Sequence, residues 1–384
     1  MKVLIFTTRF PPENVGTARY VELLAGGLTR RGVELKVLAP AYRPGHPEDA
    51  GREYPVERIA GGNVSFIPLR YQRARAGLRQ AVARWRPDAV WAANGMATRV
   101  AGTLLGELGM PLLGTVHGTD VARRLPGSTP WTWLESVPQR RFYQRARRLL
   151  TNSAFTRQLL IDKGIDGNKV QVVHLGVELP AGVEETRASA PARHPEWQGR
   201  PLLLTVGRLV QQKGHRLLLQ AMRQVADRVP RVLHLVVGDG PEQPALARQI
   251  EALGLRENVL LLGRVSEAML RDCYALAWAF ALTSHEVKSY VEGMGFVFLE
   301  AAAWGVPAVG TRHGGITEAI EEGQTGFLVP PAQPEQIGLR LAALLADEGY
   351  CRRLGRQART RVEQYFNVER MAAQSEAHLR EVVG

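Results

Sequence analysis

One unit recurs along this chain and limits what it can fold into: a short apolar run, a break marked by Gly or Pro, and then a helical pattern. Lys2 to Thr8 is such a run, ended by Pro11-Pro12, after which Gly16-Thr17-Ala18-Arg19 opens a helical pattern reaching Leu28 and Val33 to Leu38 begins the next run. The pattern returns at Pro201 to Val206, Leu233 to Val237, Leu260 to Val265 and Ala308 to Thr311. Short runs with no polar alternation are strands covered on both faces, which is how the strands of a parallel sheet with helices on either side read. At 384 residues the chain is too long for one ordinary core, and it divides into two α/β domains of roughly 180 to 200 residues. We place the first at 1–180 and the second at 201–366. Between them 181–200 is rich in Pro, Ala, Gly, Glu and Arg without periodicity and reads as a linker. In doubly wound sheets ligands lie beyond the carboxyl ends of the strands, so the loops after these runs are where chemistry is sought.

The most informative of those loops is Glu292-Gly-Met-Gly-Phe-Val-Phe-Leu-Glu300-Ala-Ala-Ala-Trp-Gly-Val-Pro. Two carboxylates are separated by seven residues, the first in a glycine-broken loop and the second beginning a helix. A Gly-x-Gly turn lets backbone approach a ligand closely, and the unpaired N–H groups at the start of a helix suit an anion such as a diphosphate. Carboxylates beside an anion site need hydroxyl partners, as on a sugar or ribose. Phosphate in the middle and polyol at both ends describes a nucleotide-sugar. Upstream, Gly207-Arg208 ends a strand, and Lys213-Gly214 follows in the next turn. A guanidinium fork and an ammonium so spaced can converge on one diphosphate. After another strand Asp239, in Gly238-Asp239-Gly240, reads as structural.

The formal net charge is +12, and it is unevenly placed. Residues 1–180 hold 26 Lys plus Arg against 14 Asp plus Glu, whereas 181–384 hold 23 of each, so the whole excess lies in the first domain. Such a surface suits an acidic substrate or an anionic membrane. With no helix-turn-helix or aromatic-interleaved RNA motif, nucleic acid is not expected as a partner. Arg70, Arg73, Arg75, Arg79, Arg84 and Arg86 surround a narrow stripe of Tyr71, Ala74, Leu78, Val82 and Trp85 at helical spacing. This is either a surface helix with a solvated basic face or a basic amphipathic helix lying on a membrane. Met1-Lys-Val-Leu-Ile-Phe reads as a first strand rather than a secretory signal, and no run approaches the roughly 18 apolar residues of a membrane span. Two cysteines, Cys273 and Cys351, without metal-type spacing fit a reducing cytoplasm.

Taken together, Thr205-Val-Gly207-Arg208-Leu-Val-Gln-Gln-Lys213-Gly214, Val236-Val-Gly238-Asp239-Gly240-Pro241-Glu242, Leu262-Gly263-Arg264-Val265, the Glu292 to Glu300 stretch, His313-Gly314-Gly315 with Glu318 and Gly326-Phe-Leu-Val-Pro-Pro331 form an ordered set. In this order and spacing they resemble the retaining GT-B glycosyltransferases of family 4. The resemblance implies two Rossmann-like doubly wound parallel-sheet domains facing across a cleft, with the tail 367–384 packed back on the first. It implies a catalytic set of Glu292, facing donor-sugar hydroxyls, His117 in Val116-His117-Gly118-Thr119-Asp120, facing the donor sugar, and Arg208 and Lys213 on the diphosphate. Donor contacts would also come from the Gly16 loop, from Arg264 and Val265 on the nucleobase, from the backbone of Gly295, Phe296, Val297 and Phe298, and from Glu300 on the ribose. The family's paired glycines are represented at the first loop by Gly16 alone. Acceptor contacts are sought in the first domain, at Asp120, Trp131 and Trp133.

The chain contains no Asp-x-Asp, the usual ligand pair for a divalent ion on a diphosphate, so Arg208 and Lys213 are expected to supply the countercharge without metal or other cofactor. No carboxylate nucleophile stands out, and same-face attack follows from the resemblance. The expected activity is transfer of a hexose from a UDP- or GDP-hexose to an acceptor hydroxyl, lipid-linked or small and soluble, on the cytoplasmic side of a membrane. Two other classes share parts of this pattern. A phosphorylase would need a lysine for pyridoxal phosphate, and after residue 180 only Lys213 and Lys288 exist. A sensor would bind the nucleotide-sugar without turnover.

Overall fold

The structure is a computed structural model describing residues 1–13, 15–61, 68–122, 140–287 and 290–384. The chain forms two compact units, Met1–Gly176 with Asn367–Gly384, and Val177–Phe366.

Among the described residues the first unit has a seven-stranded sheet: β1 (Lys2–Phe6), β2 (Glu34–Pro40), β3 (Val56–Ile59), β4 (Ala89–Ala92), β5 (Leu112–Val116), β6 (Arg148–Thr151) and β7 (Val170–Val172). Their order is β3-β2-β1-β4-β5-β6-β7, and every pairing is parallel. Strands such as Ala89–Ala92 are buried along their whole length, because helices cover both faces. On one side Leu4, Phe6, Leu38 and Val90 meet Leu78 and Ala81 of helix Pro68–Trp85 and Val100 and Leu104 of helix Gly95–Leu108.

The C-terminal helix Val368–Val383 belongs to this unit and packs on helix Gly16–Arg30. A Cβ at Gly27 would stand 2.8 Å from Ala372 Cβ, so two small residues let the helices approach closely. The contact is fixed at its edge by Arg31 Nε donating to the buried Glu376 Oε2 at 2.6 Å.

The second unit has a six-stranded sheet among the described residues: β8 (Leu202–Val206), β9 (Leu233–Val237), β10 (Val259–Gly263), β11 (Ala279–Leu282), β12 (Ala308–Thr311) and β13 (Gly326–Val329), in the order β10-β9-β8-β11-β12-β13, all parallel. Leu203, Val236 and Val309 of the sheet pack with Met222 and Val225 of helix His215–Arg228 and with Ile337 and Leu341 of helix Pro334–Leu345.

The linker is where the structure departs from the sequence reading. The second unit begins at Val177, and Val183–Arg193 is an α-helix within it. Only Val183 and Ala190 of this helix are buried, too few to give a periodic stripe. It is held instead by polar contacts to helix Glu267–Leu276, where Arg193 places Nε 2.8 Å from Asp272 Oδ2 and Nη2 2.5 Å from Oδ1. His194 adds a contact to Asp272 Oδ2 at 3.1 Å, with its ring stacked on Trp197 at 4.1 Å.

Each sheet has one point where successive strands leave in opposite directions, between β1 and β4 in the first unit and between β8 and β11 in the second. In doubly wound sheets that is where a crevice opens for ligands.

Candidate functional site

The loop after β8 and the loop after β11 lie side by side at the second unit's switch point. The first closes in a short 3₁₀ turn, Gln211–Lys213, and leaves it through Gly214 at φ 73°. A Cβ there would stand 2.1 Å from the Thr283 carbonyl oxygen, so both the backbone angle and the neighbouring strand end require glycine. Thr283 Oγ1 donates to Gly214 O at 2.8 Å, and the His285 N–H to Gln212 O at 3.1 Å. These bonds stitch the two loops together and direct Lys213 toward Glu292.

Lys213 Nζ lies 2.5 Å from Glu292 Oε2. Tyr290 Oη and Ser284 Oγ donate to the same oxygen, at 3.1 and 3.4 Å. The backbone of Glu292 is held from the other side, its carbonyl accepting from Gly315 N at 3.0 Å, while a Cβ at Gly314 would stand 2.1 Å from that carbonyl. With side-chain exposures of 15% for Lys213 and 11% for Glu292, the pair is largely shielded from water. Burial by itself would lower the Lys213 pKa, but the charge and hydrogen bond of Glu292, helped by Tyr290, carry it above its ordinary value. Burial would likewise raise Glu292, and Lys213 outweighs it, holding the carboxyl below its usual range. Glu292 is therefore ionised at neutral pH.

The sequence reading sets Lys213 and Arg208 together on a diphosphate and Glu292 on a sugar; here the Lys213 ammonium pairs with Glu292. Arg208 is exposed and has no carboxylate partner among the described residues. Its carbonyl accepts from the buried His215 Nε2 at 3.0 Å, which anchors the backbone beneath it.

Helix Phe296–Ala303 begins at Gly295, with φ 84°. Of the donor-contacting group, Phe298 sends its ring into the core, edge-on to Phe280 at 5.4 Å, so only its backbone can reach a ligand. Its N–H bonds to Gly295 O at 3.2 Å; the N–H groups of Phe296 and Val297 have no partner among the described residues and offer an anion site. Farther along the helix, Glu300 Oε2 accepts from Tyr274 Oη at 3.2 Å. Tyr274 reaches it from helix Glu267–Leu276, with its ring stacked on Trp304. Sequence reasoning missed Tyr274, Tyr290 and Ser284. Tyr290 was open to notice, two positions before Glu292, whereas Tyr274 is far away in sequence and nothing near it marks it. Arg264, past the end of β10, places Nε 2.6 Å from Asp239 Oδ2, both exposed, so Asp239 serves as an ion-pair partner. Val265 is half-buried, just before the Ser266 cap of the next helix.

At the first unit's switch point Thr8 Oγ1 donates to Asn94 Oδ1 at 2.9 Å, and Asn94 Nδ2 donates to Thr7 Oγ1 at 3.2 Å, joining the loops after β1 and β4. Gly16 is exposed at the start of its helix. His117, at the end of β5, lies 3.1 Å through Nε2 from Ala93 O and edge-on to Tyr20 at 5.0 Å. Burial lowers its pKa despite the Asp120 charge, so the ring is neutral. Asp120 Oδ2 accepts from His117 N at 3.1 Å and Gly95 N at 3.0 Å, tying the β5 loop to the start of helix Gly95–Leu108. Trp131 and Trp133 lie outside the described residues.

Two parallel-sheet Rossmann-like units, with glycine-bearing loops and paired carboxylates at a switch point, define a GT-B glycosyltransferase acting on a nucleotide-sugar. Residues 15–180 match Glycosyltransferase Family 4 and residues 187–361 match Glycosyl transferases group 1. The chain belongs to this family. It is 29% identical over 360 residues, 90% of this chain and 89% of the relative, to a GDP-mannose-dependent alpha-(1-6)-phosphatidylinositol monomannoside mannosyltransferase of Mycolicibacterium smegmatis. Over 358 residues, 88% of this chain and 78% of the relative, it is 27% identical to a D-inositol 3-phosphate glycosyltransferase of Segniliparus rotundus. Among solved structures its fold is similar to that of sucrose-phosphate synthase from Thermosynechococcus elongatus, with TM-score 0.84, 21% identity and coverage of 99% and 98% of the two chains. The Anabaena HepE protein in complex with UDP is similar in fold too, with TM-score 0.80, 21% identity and coverage of 99% and 100%. Among the described residues no helix is long and apolar enough to cross a membrane.

Proposed function

We propose that the protein is a retaining hexosyltransferase that moves a hexose from a GDP- or UDP-hexose to an acceptor hydroxyl on a lipid or lipid-linked glycan, forming an α linkage without metal. The observation that carries this is the switch-point arrangement of the second unit. There an ionised Glu292 and Glu300 flank the open start of helix Phe296–Ala303, beside the uncompensated Arg208. In this reading Glu300 accepts from the ribose, the N–H groups of Phe296 and Val297 and the Arg208 fork hold the diphosphate, and Glu292 accepts from a hexose hydroxyl. Lys213 still contributes, because an ammonium has three donors and can bridge Glu292 to a phosphate oxygen. As the bond from the anomeric carbon to the diphosphate breaks, negative charge grows on the leaving oxygen, and these fixed donors stabilise it. At the first unit's own switch point His117 is neutral, so it can offer a ligand a hydrogen bond rather than a charge. The name of the mannosyltransferase relative makes GDP-mannose the donor to test first.

The lipid acceptor draws support from that same name and from the basic first unit. The structure narrows the basic face. Arg79 donates to Glu107 at 2.5 Å, Arg75 lies 3.8 Å from the same carboxylate, and Arg84 pairs with Glu57. What remains for an anionic membrane, among the described residues of this face, is Arg86, exposed past the end of helix Pro68–Trp85, and the start of that helix, where Arg70 and Arg73 are exposed beside Leu69 at 60% exposure. A small phosphorylated acceptor is the second reading, favoured by the name of the inositol phosphate relative. Incubation with each nucleotide-hexose, with and without phosphatidylinositol-type lipid or inositol phosphate, tests both readings by release of nucleoside diphosphate. Release that rises with the lipid alone supports the first, and release that rises with the soluble phosphate alone supports the second.

A further inference from the structure

We infer that Tyr290 is a positioning residue that fixes the orientation of the Glu292 carboxylate, and with it the direction from which the free oxygen reads the donor sugar, and so sets discrimination between hexose epimers. The inference rests on the proposed role of Glu292. Three donors converge on Glu292 Oε2: Lys213 Nζ at 2.5 Å, Tyr290 Oη at 3.1 Å and Ser284 Oγ at 3.4 Å. A carboxylate oxygen has two lone pairs, so Oε2 has no capacity left for a ligand. No described residue donates to Oε1, which makes it the acceptor left for a hexose hydroxyl. The main chain of Glu292 cannot move to change this, because its carbonyl is held by Gly315 N at 3.0 Å.

Among these contacts Lys213 supplies charge, but a single ammonium does not fix the rotation of a carboxylate. The last torsion of a Glu side chain is broad, so the carboxylate plane can turn about a single point charge at little cost. Tyr290 gives the direction. Its ring lies against Lys213, with Nζ 5.9 Å from the centroid, and its hydroxyl selects the same oxygen as the ammonium. Burial and the Glu292 charge raise the Tyr290 pKa to about 12, so the hydroxyl remains a donor throughout the physiological range. A carboxylate held this way accepts from one hydroxyl in one direction. A freely rotating one adapts to an epimer.

The test uses the full-length enzyme and the variants Tyr290→Phe, Ser284→Ala, Glu292→Gln and Tyr290→Phe/Glu292→Gln. We expect Tyr290→Phe to lower kcat/KM for the preferred nucleotide-hexose about tenfold, the size of losing one hydrogen bond to a charged group. The preference for that donor over its hexose epimer should shrink, while the Kd for the bare nucleoside diphosphate stays within about twofold. Ser284→Ala, which removes the longest of the three bonds, should shift epimer preference in the same direction by a smaller factor. Adding Tyr290→Phe to Glu292→Gln should cause no further loss, because the two act through one group. The inference is overturned if Tyr290→Phe keeps the wild-type epimer ratio, if it weakens the bare nucleotide as much as the donor, or if its loss is undiminished in the Glu292→Gln background. Should Tyr290→Phe not fold, Ser284→Ala decides alone, and an unchanged epimer ratio there overturns the inference. Full turnover in Glu292→Gln would instead remove the functional reading on which the inference stands.

Discussion

Removing one member of the Lys213–Glu292 pair should destabilise the protein more than removing both. The two charges are 2.5 Å apart and mostly shielded from water, so Glu292→Ala strands an ammonium and Lys213→Ala strands a carboxylate. Loss of one partner of a buried pair costs about 3 to 5 kcal/mol, whereas replacing both by apolar groups of similar volume is often close to neutral. For a unit of this size each kcal/mol moves Tm by roughly 2 to 4 °C, so either single variant should melt about 10 °C below wild type. Lys213→Met/Glu292→Leu should recover more than half of that loss. The pH dependence carries the same signature. Glu292 titrates below its ordinary 4.5, so its contribution is complete above that value and is lost as pH falls through the folded pKa. Lys213 titrates above its ordinary 10.5, so its contribution is complete below that value and is lost as pH rises through the folded pKa. Calorimetry on the unliganded protein, carried from the plateau to below pH 4.5 and to above pH 10.5, measures this directly. Singles that melt with the wild type, or a double variant as unstable as the sum of the two, would refute the account of the pair.

Four further expectations can be measured independently. His215 is buried with its pKa lowered to about 4 from 6.5, so it stabilises the fold above pH 6.5 and loses about 3 kcal/mol as pH falls from there toward 4; His215→Gln should flatten that part of the stability curve. Glu300→Ala should weaken the bare nucleoside diphosphate about tenfold or more in calorimetric titration, Tyr274→Phe should do so by a smaller factor, and Glu292→Ala should leave that binding nearly intact. Arg208→Ala should lower kcat about 10²-fold and Arg208→Lys should not restore it, because the fork geometry is lost, while EDTA should leave the wild-type rate unchanged. Co-sedimentation with anionic vesicles should fall with salt and weaken in Arg70→Gln/Arg73→Gln but not in Arg79→Gln, whose charge Glu107 already answers; equal loss in both variants would contradict this.

The parallel-sheet architecture was legible because buried strands write themselves as unbroken apolar runs. Leu202–Val206 and Leu233–Val237 were found by that signal alone. Helix Val183–Arg193 was hidden for the opposite reason, since it is held by Arg193 on Asp272 and no periodicity records an ion pair formed 79 residues apart. The site divides the same way. Gly214 and the carboxylates Glu292 and Glu300 announce themselves by residue type and spacing. That Lys213 answers Glu292 depends on a turn whose direction is set by Thr283, a residue on another strand end. Tyr274 is invisible until the fold brings it to Glu300.

The central claim is that Glu292, held by Lys213 at the second unit's switch point, serves transfer of a hexose from a nucleotide-sugar. The most direct measurement is release of nucleoside diphosphate from GDP-mannose and other UDP- and GDP-hexoses by wild type and Glu292→Gln, with the product's anomeric configuration read by NMR. The account predicts turnover of at least one donor with an α-linked product, a loss of about 10²-fold or more in the variant, and nearly unchanged binding of the bare nucleotide. A variant as active as wild type, or a wild type that neither binds nor turns over any nucleotide-hexose, would contradict it.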